Sequence, residues 1–206
     1  MRHIFKTAFL CLWAAAALGT PARAAVEAYL FEWQGDLVGQ FSGSIDTTGL
    51  PQANTLMPDA LGYVQPDILG FGQYRDGETL TVWGEAGDFG PSNYGTGGPQ
   101  IDLGPVMGDS FLFNLLVTGP VPGITLVLAQ NYMGGMISGR YRLPGRNLND
   151  IGAVAGTYLV TLPSTDTITL NVGARPPVVP LPATLPLLLT TIAAGAALRF
   201  RTAQRH

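Results

Sequence analysis

Carboxylates are the main side chains in the middle of this sequence that could do acid–base chemistry. The stretch 25–177 contains four glutamates, Glu27, Glu32, Glu78 and Glu85, and ten aspartates. Two carboxyl groups on either side of a glycosidic bond can hydrolyse a glycan. Glu27 and Glu32 are five residues apart and Glu78 and Glu85 are seven apart, so the period of a strand places the two members of each pair on opposite faces. A carboxylate-dependent glycan hydrolase therefore stays an alternative that needs tertiary contact to form its pair.

Other catalytic residue types are absent from the same stretch. Cys11 is the one cysteine and Lys6 the one lysine, while His3 and His206 stand near the two ends. This composition excludes Ser-His-Asp, Cys-His and Ser-Lys hydrolysis there, together with disulfides and zinc sites made of histidine or thiolate. We therefore expect a protein that is not an enzyme and that requires no cofactor.

Calcium is one ligand that the oxygen-bearing side chains could hold. The loops at residues 88–93 and 147–150 are rich in oxygen donors, which a structural calcium ion requires. Neither loop has EF-hand or nonapeptide spacing, and Asx turns are the commoner explanation of such residues. A structural calcium ion is thus an alternative, and no other metal is predicted.

Sugars are a second class of ligand, because aromatic rings can stack on them. Trp83 and Tyr94 lie near predicted strand ends or loops, and both are candidates for contact with a glycan. Trp83 falls on the polar face of its predicted strand, opposite Leu80 and Val82. The competing interpretation, which is the commoner one, is that Trp83 covers the core.

Charge is distributed unevenly along the chain. All 14 acidic residues lie between Glu27 and Asp166, with five arginines in the stretch 25–177, so the formal charge of this body is −9 although that of the chain is −3. Such a body repels phosphate backbones, and we expect no nucleic-acid partner. Three of its arginines, Arg140, Arg142 and Arg146, form a basic stripe that could meet an anionic polysaccharide or pair with nearby carboxylates.

The elements that must position these side chains are strands. Glycine and proline recur throughout the body, and apolar residues alternate with polar ones, often threonine, as in half-buried antiparallel strands. Alternating strands are predicted at 41–45, 79–83, 157–162 and 166–172, and central strands, apolar on both faces, at 111–117 and 124–128. We expect an all-β body over residues 25–173, an antiparallel β-sandwich of the jelly-roll type.

Turn signals separate the predicted strands. Asp76-Gly77 favours a two-residue hairpin, while residues 119–123 and 163–166 each join two consecutive strands. Residues 86–99 combine five glycines with two prolines and predict the longest loop of the body.

The N-terminus reads as a secretory signal peptide over residues 1–24. Basic residues at Arg2 and Lys6 precede an apolar run of about a dozen residues, a length that is typical of signal peptides. Ala22-Arg23-Ala24 then provides small residues at both positions that determine cleavage. The body is therefore expected outside the cytoplasm.

The C-terminus combines a proline-bearing motif, an apolar stretch and a basic end. A linker and motif occupy residues 174–182, a transmembrane helix is predicted at 183–200 and a cytoplasmic tail at 201–206. The motif residues are Val179, Pro180, Leu181, Pro182 and Ala183. The basic end is formed by Arg199, Arg201 and Arg205, which place that end in the cytoplasm.

Residues 179–206 resemble a VPLPA-CTERM sorting domain, a relative of the PEP-CTERM tail. The resemblance implies recognition of the motif by an exosortase-type membrane protease, removal of the helix and tail, and transfer of the body to the cell surface. It also implies a Gram-negative bacterium that makes exopolysaccharide. The competing interpretation is an ordinary tail anchor.

A non-enzymatic protein of the cell envelope or extracellular matrix is the function that these features favour. It would be anchored in the inner membrane facing the periplasm and then released to the cell surface. The alternatives are a module that binds exopolysaccharide and the carboxylate-dependent hydrolase.

Overall fold

The computed structural model describes residues 24–177, except 59–60, 88, 98–99, 105 and 117–122. These residues form thirteen strands and two short 3-10 helices, Pro66–Ile68 and Asn149–Ile151, which confirms the predicted all-β class. The strands are β1 (Ala25–Trp33), β2 (Asp36–Gly43), β3 (Gln52–Leu56), β4 (Gly62–Gln65), β5 (Gly70–Gln73), β6 (Leu80–Ala86), β7 (Ile101–Asp102), β8 (Val106–Gly108), β9 (Phe111–Leu116), β10 (Gly123–Ala129), β11 (Ile137–Leu143), β12 (Gly156–Thr161) and β13 (Thr167–Val172).

The strands form two sheets. The six-stranded sheet has the order β12-β13-β1-β2-β11-β8, and the seven-stranded sheet has the order β3-β6-β10-β9-β5-β4-β7. Strands β1 and β2 form a hairpin in which Gln34 and Gly35 both have positive φ, as a two-residue turn of type I′ requires. The hairpin at residues 163–166 joins β12 to β13 as predicted.

One pair of strands departs from the predicted antiparallel arrangement. β1 pairs with β13 in parallel, from Ala25 beside Thr167 to Leu30 beside Val172. A parallel pair needs a long crossover connection, and here nearly the whole body lies between the two strands. The N-terminal and C-terminal strands of the body thereby become neighbours at the middle of the six-stranded sheet.

The core draws its side chains from both sheets. Phe41 on β2 meets Phe111 on β9 with ring centroids 4.9 Å apart, and Phe71 on β5 meets Tyr141 on β11 at 5.6 Å. These rings belong to one large cluster of buried residues. The predicted inward positions at 168, 170 and 172 are all buried in it.

The seven-stranded sheet is also apolar on its other face, and this overturns one predicted orientation. Trp83 belongs to the large cluster, whereas Leu80 belongs to a second cluster with Leu112 and Val127, against which Val82 packs. The prediction of a polar face at Trp83 was therefore wrong. Alternation cannot reveal which face is inside when both faces are buried.

The hairpin predicted at Asp76-Gly77 is also absent. A turn forms there, with Glu78 N–H donating to the Arg75 carbonyl at 3.3 Å, but β5 pairs with β4 and β9 and β6 pairs with β3 and β10. The flanking strands thus lie in one sheet without being neighbours. The predicted long loop does form: residues 87–100 connect β6 to β7, and the described residues of this segment form no strand.

Two glycines allow β2 and β11 to pack against the core. Gly39 lies opposite Tyr141 and Gly139 opposite Phe41 in the antiparallel register. A Cβ at either glycine would collide with the aromatic ring of its cross-strand partner. Each glycine therefore leaves room for one core ring. The two strands that pack closely in this way, β2 and β11, also carry the exposed surface described below.

Candidate functional site

Both aromatic rings that we expected to contact a glycan lie in the core. Tyr94 is completely buried, its hydroxyl donates to the Gly70 carbonyl at 2.8 Å, and burial raises its pKa well above the ordinary value. Trp83 is only 9% exposed and packs in the large cluster. These positions contradict the expected contact of the two rings with a glycan, because both rings are buried and neither is accessible to a ligand. The competing interpretation, in which Trp83 covers the core, agrees with the structure.

The glutamates are mostly engaged in contacts that hold the fold together. Glu32 accepts a hydrogen bond from the Leu148 backbone N–H at 3.0 Å, and Glu78 accepts one from the Ser110 hydroxyl. Glu27 accepts one from the Tyr29 hydroxyl at 2.8 Å. These contacts do not test the hydrolase alternative, because the two carboxyl groups of a glycosidase are about 5–10 Å apart rather than in contact.

The loop at residues 147–150 is closed by two reciprocal hydrogen bonds that span three residues, as in a capping box, and not by the two-residue bond of an Asx turn. The Asn147 backbone N–H donates to the Asp150 carboxylate at 2.9 Å, and the Asp150 backbone N–H donates to the Asn147 side-chain oxygen at 2.9 Å. Across the described ranges, no group of three or more His, Cys, Asp or Glu side chains could hold a metal ion. Calcium binding stays a prediction without assigned ligands, and Asp88 of the other loop lies outside the described residues.

The residues predicted to direct delivery lie outside the part of the chain that the structure describes. They comprise the signal peptide, the motif residues Val179, Pro180, Leu181, Pro182 and Ala183, the predicted helix, and Arg199, Arg201 and Arg205. No helix within the described part is long and apolar enough to cross a membrane.

The exposed face of the six-stranded sheet carries a continuous row of side chains, one from each strand. The strand registers align them across the whole sheet. From one edge to the other the row contains Thr157, Asn171, Tyr29, Gln40, Arg140 and Met107. Neighbouring strands are about 4.8 Å apart, so the row is about 24 Å long. All six side chains are exposed or half-buried, and five of the six end in a hydroxyl, an amide or a guanidinium group.

A second exposed row runs beside the first. Its members, aligned by the same registers, are Leu159, Thr169, Glu27, Ser42 and Ser138. Glu27 and Tyr29 connect the two rows through their hydrogen bond. The pKa of Tyr29 is raised, first by burial of its ring and then by the hydrogen bond to Glu27 and the charge of that carboxylate.

The basic stripe divides into arginines that are paired and arginines that are not. Arg140 and Arg142 are both exposed on the same side of β11. Arg142 forms an ion pair with Asp36, which also accepts the Gly145 backbone N–H at 2.7 Å. The side chains of Arg140 and Arg146 form no hydrogen bond or ion pair with any other described residue. Of the two interpretations of the stripe, pairing with a carboxylate thus applies to Arg142.

A shallow depression lies where the first row reaches β11 and β8. It has a volume of about 350 Å³, and Gln40, Ser42, Ser138, Arg140 and Met107 line it. Met107 is 71% exposed, so the depression has an apolar edge beside the unpaired guanidinium. This arrangement can donate hydrogen bonds to an anionic group and place an apolar surface next to it.

The comparisons with known proteins give no identity. No family model, curated protein or solved structure matches this chain. The assignment of this surface therefore depends on its own geometry.

Most of this surface was not recognised from the sequence. Arg140 was a candidate, but Tyr29, Gln40 and Met107 were not. Alternation in β1 could have placed Tyr29 on the exposed face, since Val26, Ala28 and Leu30 are apolar. Alignment with Gln40 and Arg140 depends on strand registers between segments far apart in the chain, which no local pattern encodes.

Proposed function

We propose that this chain is an exported, non-enzymatic protein of the cell envelope or extracellular matrix. It is held in the inner membrane by its C-terminal helix, facing the periplasm, and is then processed through the motif at residues 179–183. The single observation that carries the proposal is the order of motif, apolar stretch and basic end at the C-terminus. The signal peptide at the other end gives the same orientation across the membrane.

The body that is delivered would be a β-sandwich made of the two sheets. Support for this finer assignment comes from core contacts between the two sheets, such as the pair Phe41 and Phe111. Sheets that pack face to face enclose such a core. A sandwich of this kind folds without disulfides or cofactors when its core is large enough, which suits a body that contains no cysteine.

The partner that processes the chain would be an exosortase-type protease of the inner membrane. Because proline is disfavoured in a helix interior, the sequence of the motif, with Pro180 and Pro182, would suit recognition by a protease at the membrane surface. Pro176 and Pro177 would stiffen the linker that precedes the motif. After cleavage the body would reach the cell surface or the surrounding exopolysaccharide.

Intact-mass measurement of the protein released from the producing bacterium tests this proposal. We expect a mass that corresponds to a chain from about residue 25 to a C-terminus close to residue 182. The double variant Leu181→Asp with Pro182→Ala should remain in the membrane fraction at higher mass, because the motif is destroyed. Pro176→Ala, which changes a proline of the linker outside the motif, is the matched control and should be released normally.

Two results would contradict the proposal. One is a released protein that retains its C-terminal residues. The other is normal release of the double variant, which would show that the motif is not what the protease recognises.

A further inference from the structure

We propose that the exposed face of the six-stranded sheet binds an anionic polysaccharide, with an acidic sugar carboxylate held by Arg140. This goes beyond the delivery proposed above and does not depend on it, since the surface lies entirely within the described body. The region concerned is the end of the first row on β2, β11 and β8, where the shallow depression lies.

The unpaired state of Arg140 carries the charge argument. Arg142 pairs with Asp36, Arg75 pairs with Asp109 at 3.0 Å, and Arg175 stacks on Trp33 with 4.5 Å between its guanidinium carbon and the ring centroid. Arg140 has no such partner among the described residues, although it belongs to a body with a formal charge of −9. A free guanidinium presents planar donors that match a carboxylate in two parallel hydrogen bonds.

The groups around Arg140 suit a sugar better than a simple anion. Gln40 adjoins Arg140 in the row, and Ser42 and Ser138 lie in the next row, so an amide and two hydroxyls line the same depression as the guanidinium. These groups donate and accept, as sugar hydroxyls do. Met107, opposite Arg140 on β8, adds an apolar surface for the C–H face of a ring.

The length of the row favours an extended polymer over a single sugar. The row crosses six strands, about 24 Å, and continues beyond the depression through Tyr29, Asn171 and Thr157. These side chains present hydroxyl and amide groups along a nearly straight line. A polysaccharide chain lying across the strands would meet such groups repeatedly.

Glu27 repels an anionic ligand, so the negative group of the ligand must bind away from Glu27. It lies on β1, two strands from Arg140, which is about 10 Å across the sheet. Its carboxylate repels a negative group, while Arg140 attracts one. The proposal therefore makes opposite predictions for two substitutions that each remove one charge from the same face.

Binding to alginate, a polyuronate, tests the proposal, with dextran as the neutral polymer. The full chain in mild detergent would be titrated at pH 7 and 0.1 M salt. We expect alginate binding and little dextran binding. Arg140→Gln should weaken the alginate affinity about tenfold, which corresponds to the loss of one charge-assisted interaction. Glu27→Gln should strengthen it about twofold to fivefold.

Arg146→Gln is the matched control, because it removes the same charge from an exposed arginine that is likewise unpaired among the described residues and does not line the depression. Its affinity should stay within about twofold of that of the unmodified chain. The basic residues at both ends of the chain are identical in all variants, so they cannot produce a difference between them.

The proposal is overturned if the unmodified chain does not bind alginate, if dextran binds equally well, or if Arg140→Gln and Arg146→Gln have the same effect. It is also overturned if Glu27→Gln weakens binding. Circular dichroism of each variant separates these outcomes from a loss of fold, which an exposed and unpaired side chain should not cause.

Discussion

Two fully buried tyrosines show how differently the same side chain can contribute to this fold. The hydroxyl of Tyr94 donates to the Gly70 carbonyl at 2.8 Å, and so joins the 86–99 loop to β5. The hydroxyl of Tyr141 is equally buried but forms no hydrogen bond with any described residue. A buried polar group without a partner has lost its hydrogen bonds to water, and no hydrogen bond within the protein replaces them.

These contacts predict opposite outcomes for the same chemical change. Tyr94→Phe should lower the free energy of unfolding by about 1–2 kcal/mol, because it removes the buried hydrogen bond to the Gly70 carbonyl. Tyr141→Phe should change it by less than about 0.5 kcal/mol or increase it, because only an unpaired hydroxyl is removed. Urea unfolding followed by tryptophan fluorescence measures both. An equal loss in both variants would contradict the assignment of the Tyr94 hydrogen bond.

At the scale of the strands, Asp36 joins the start of β2 to the turn that follows β11. Its carboxylate accepts the Gly145 backbone N–H at 2.7 Å and pairs with Arg142. The Gly145 hydrogen bond, and after it the Arg142 guanidinium, hold the pKa of Asp36 below its usual range. The same contacts fix the end of β11 that lies beyond Arg140, and so help to hold the proposed binding surface in place.

The lowered pKa predicts how this contribution depends on pH. A carboxyl whose pKa is lower in the folded chain than the ordinary value of about 3.9 stabilises the fold above that value. The contribution is lost as the pH falls through the folded pKa. The difference in unfolding free energy between the unmodified chain and Asp36→Asn should therefore be constant from pH 7 to pH 5 and shrink below about pH 4.

Denaturant titrations at several pH values provide the measurement. Arg142→Gln should reduce this pH dependence without abolishing it, because the Gly145 N–H remains. A difference between the unmodified chain and Asp36→Asn that is unchanged at pH 3 would show that Asp36 keeps its ordinary pKa in the fold.

How far the sequence predicts these elements depends on whether the pattern is local. The bounds of β12 and β13 were predicted to within one residue, because one face of each strand is buried and the other faces solvent. The face of Trp83 could not be predicted, since β6 is apolar on both sides. Nor could the sequence show which arginine of the stripe is paired, because Asp36 lies 106 residues from Arg142 along the chain.

At the scale of the whole molecule, the ends and the body carry separate kinds of information. The proposed delivery is based on short local signals at the ends, and these depend on composition and order, which a sequence displays directly. The surface of the body depends on registers between distant strands, which only the folded structure displays. Trp83 and Tyr94 illustrate the difference: their residue type suggested a ligand, whereas their burial shows that they belong to the core.

Under the processing proposed above, the uneven charge distribution predicts a stepwise change in the formal charge of the chain. The complete chain has a formal charge of −3. Loss of residues 1–24 removes three basic residues and no acidic one, which gives −6, and loss of the tail with Arg199, Arg201 and Arg205 gives −9. Because both ends are basic and the body holds every acidic residue, each cleavage must lower the isoelectric point.

Isoelectric focusing of the membrane-held and released forms measures these steps. We expect the form in the membrane to focus as the species with charge −6 and the released form as the species with charge −9, clearly more acidic. A released form that focuses together with the membrane form would show that the basic end is retained, and with it the tail. If the basic end is removed as expected, the released body has its full negative charge, and long-range repulsion from an anionic matrix acts against its adhesion. Local attraction at an unpaired arginine would have to overcome that repulsion for the body to be retained there.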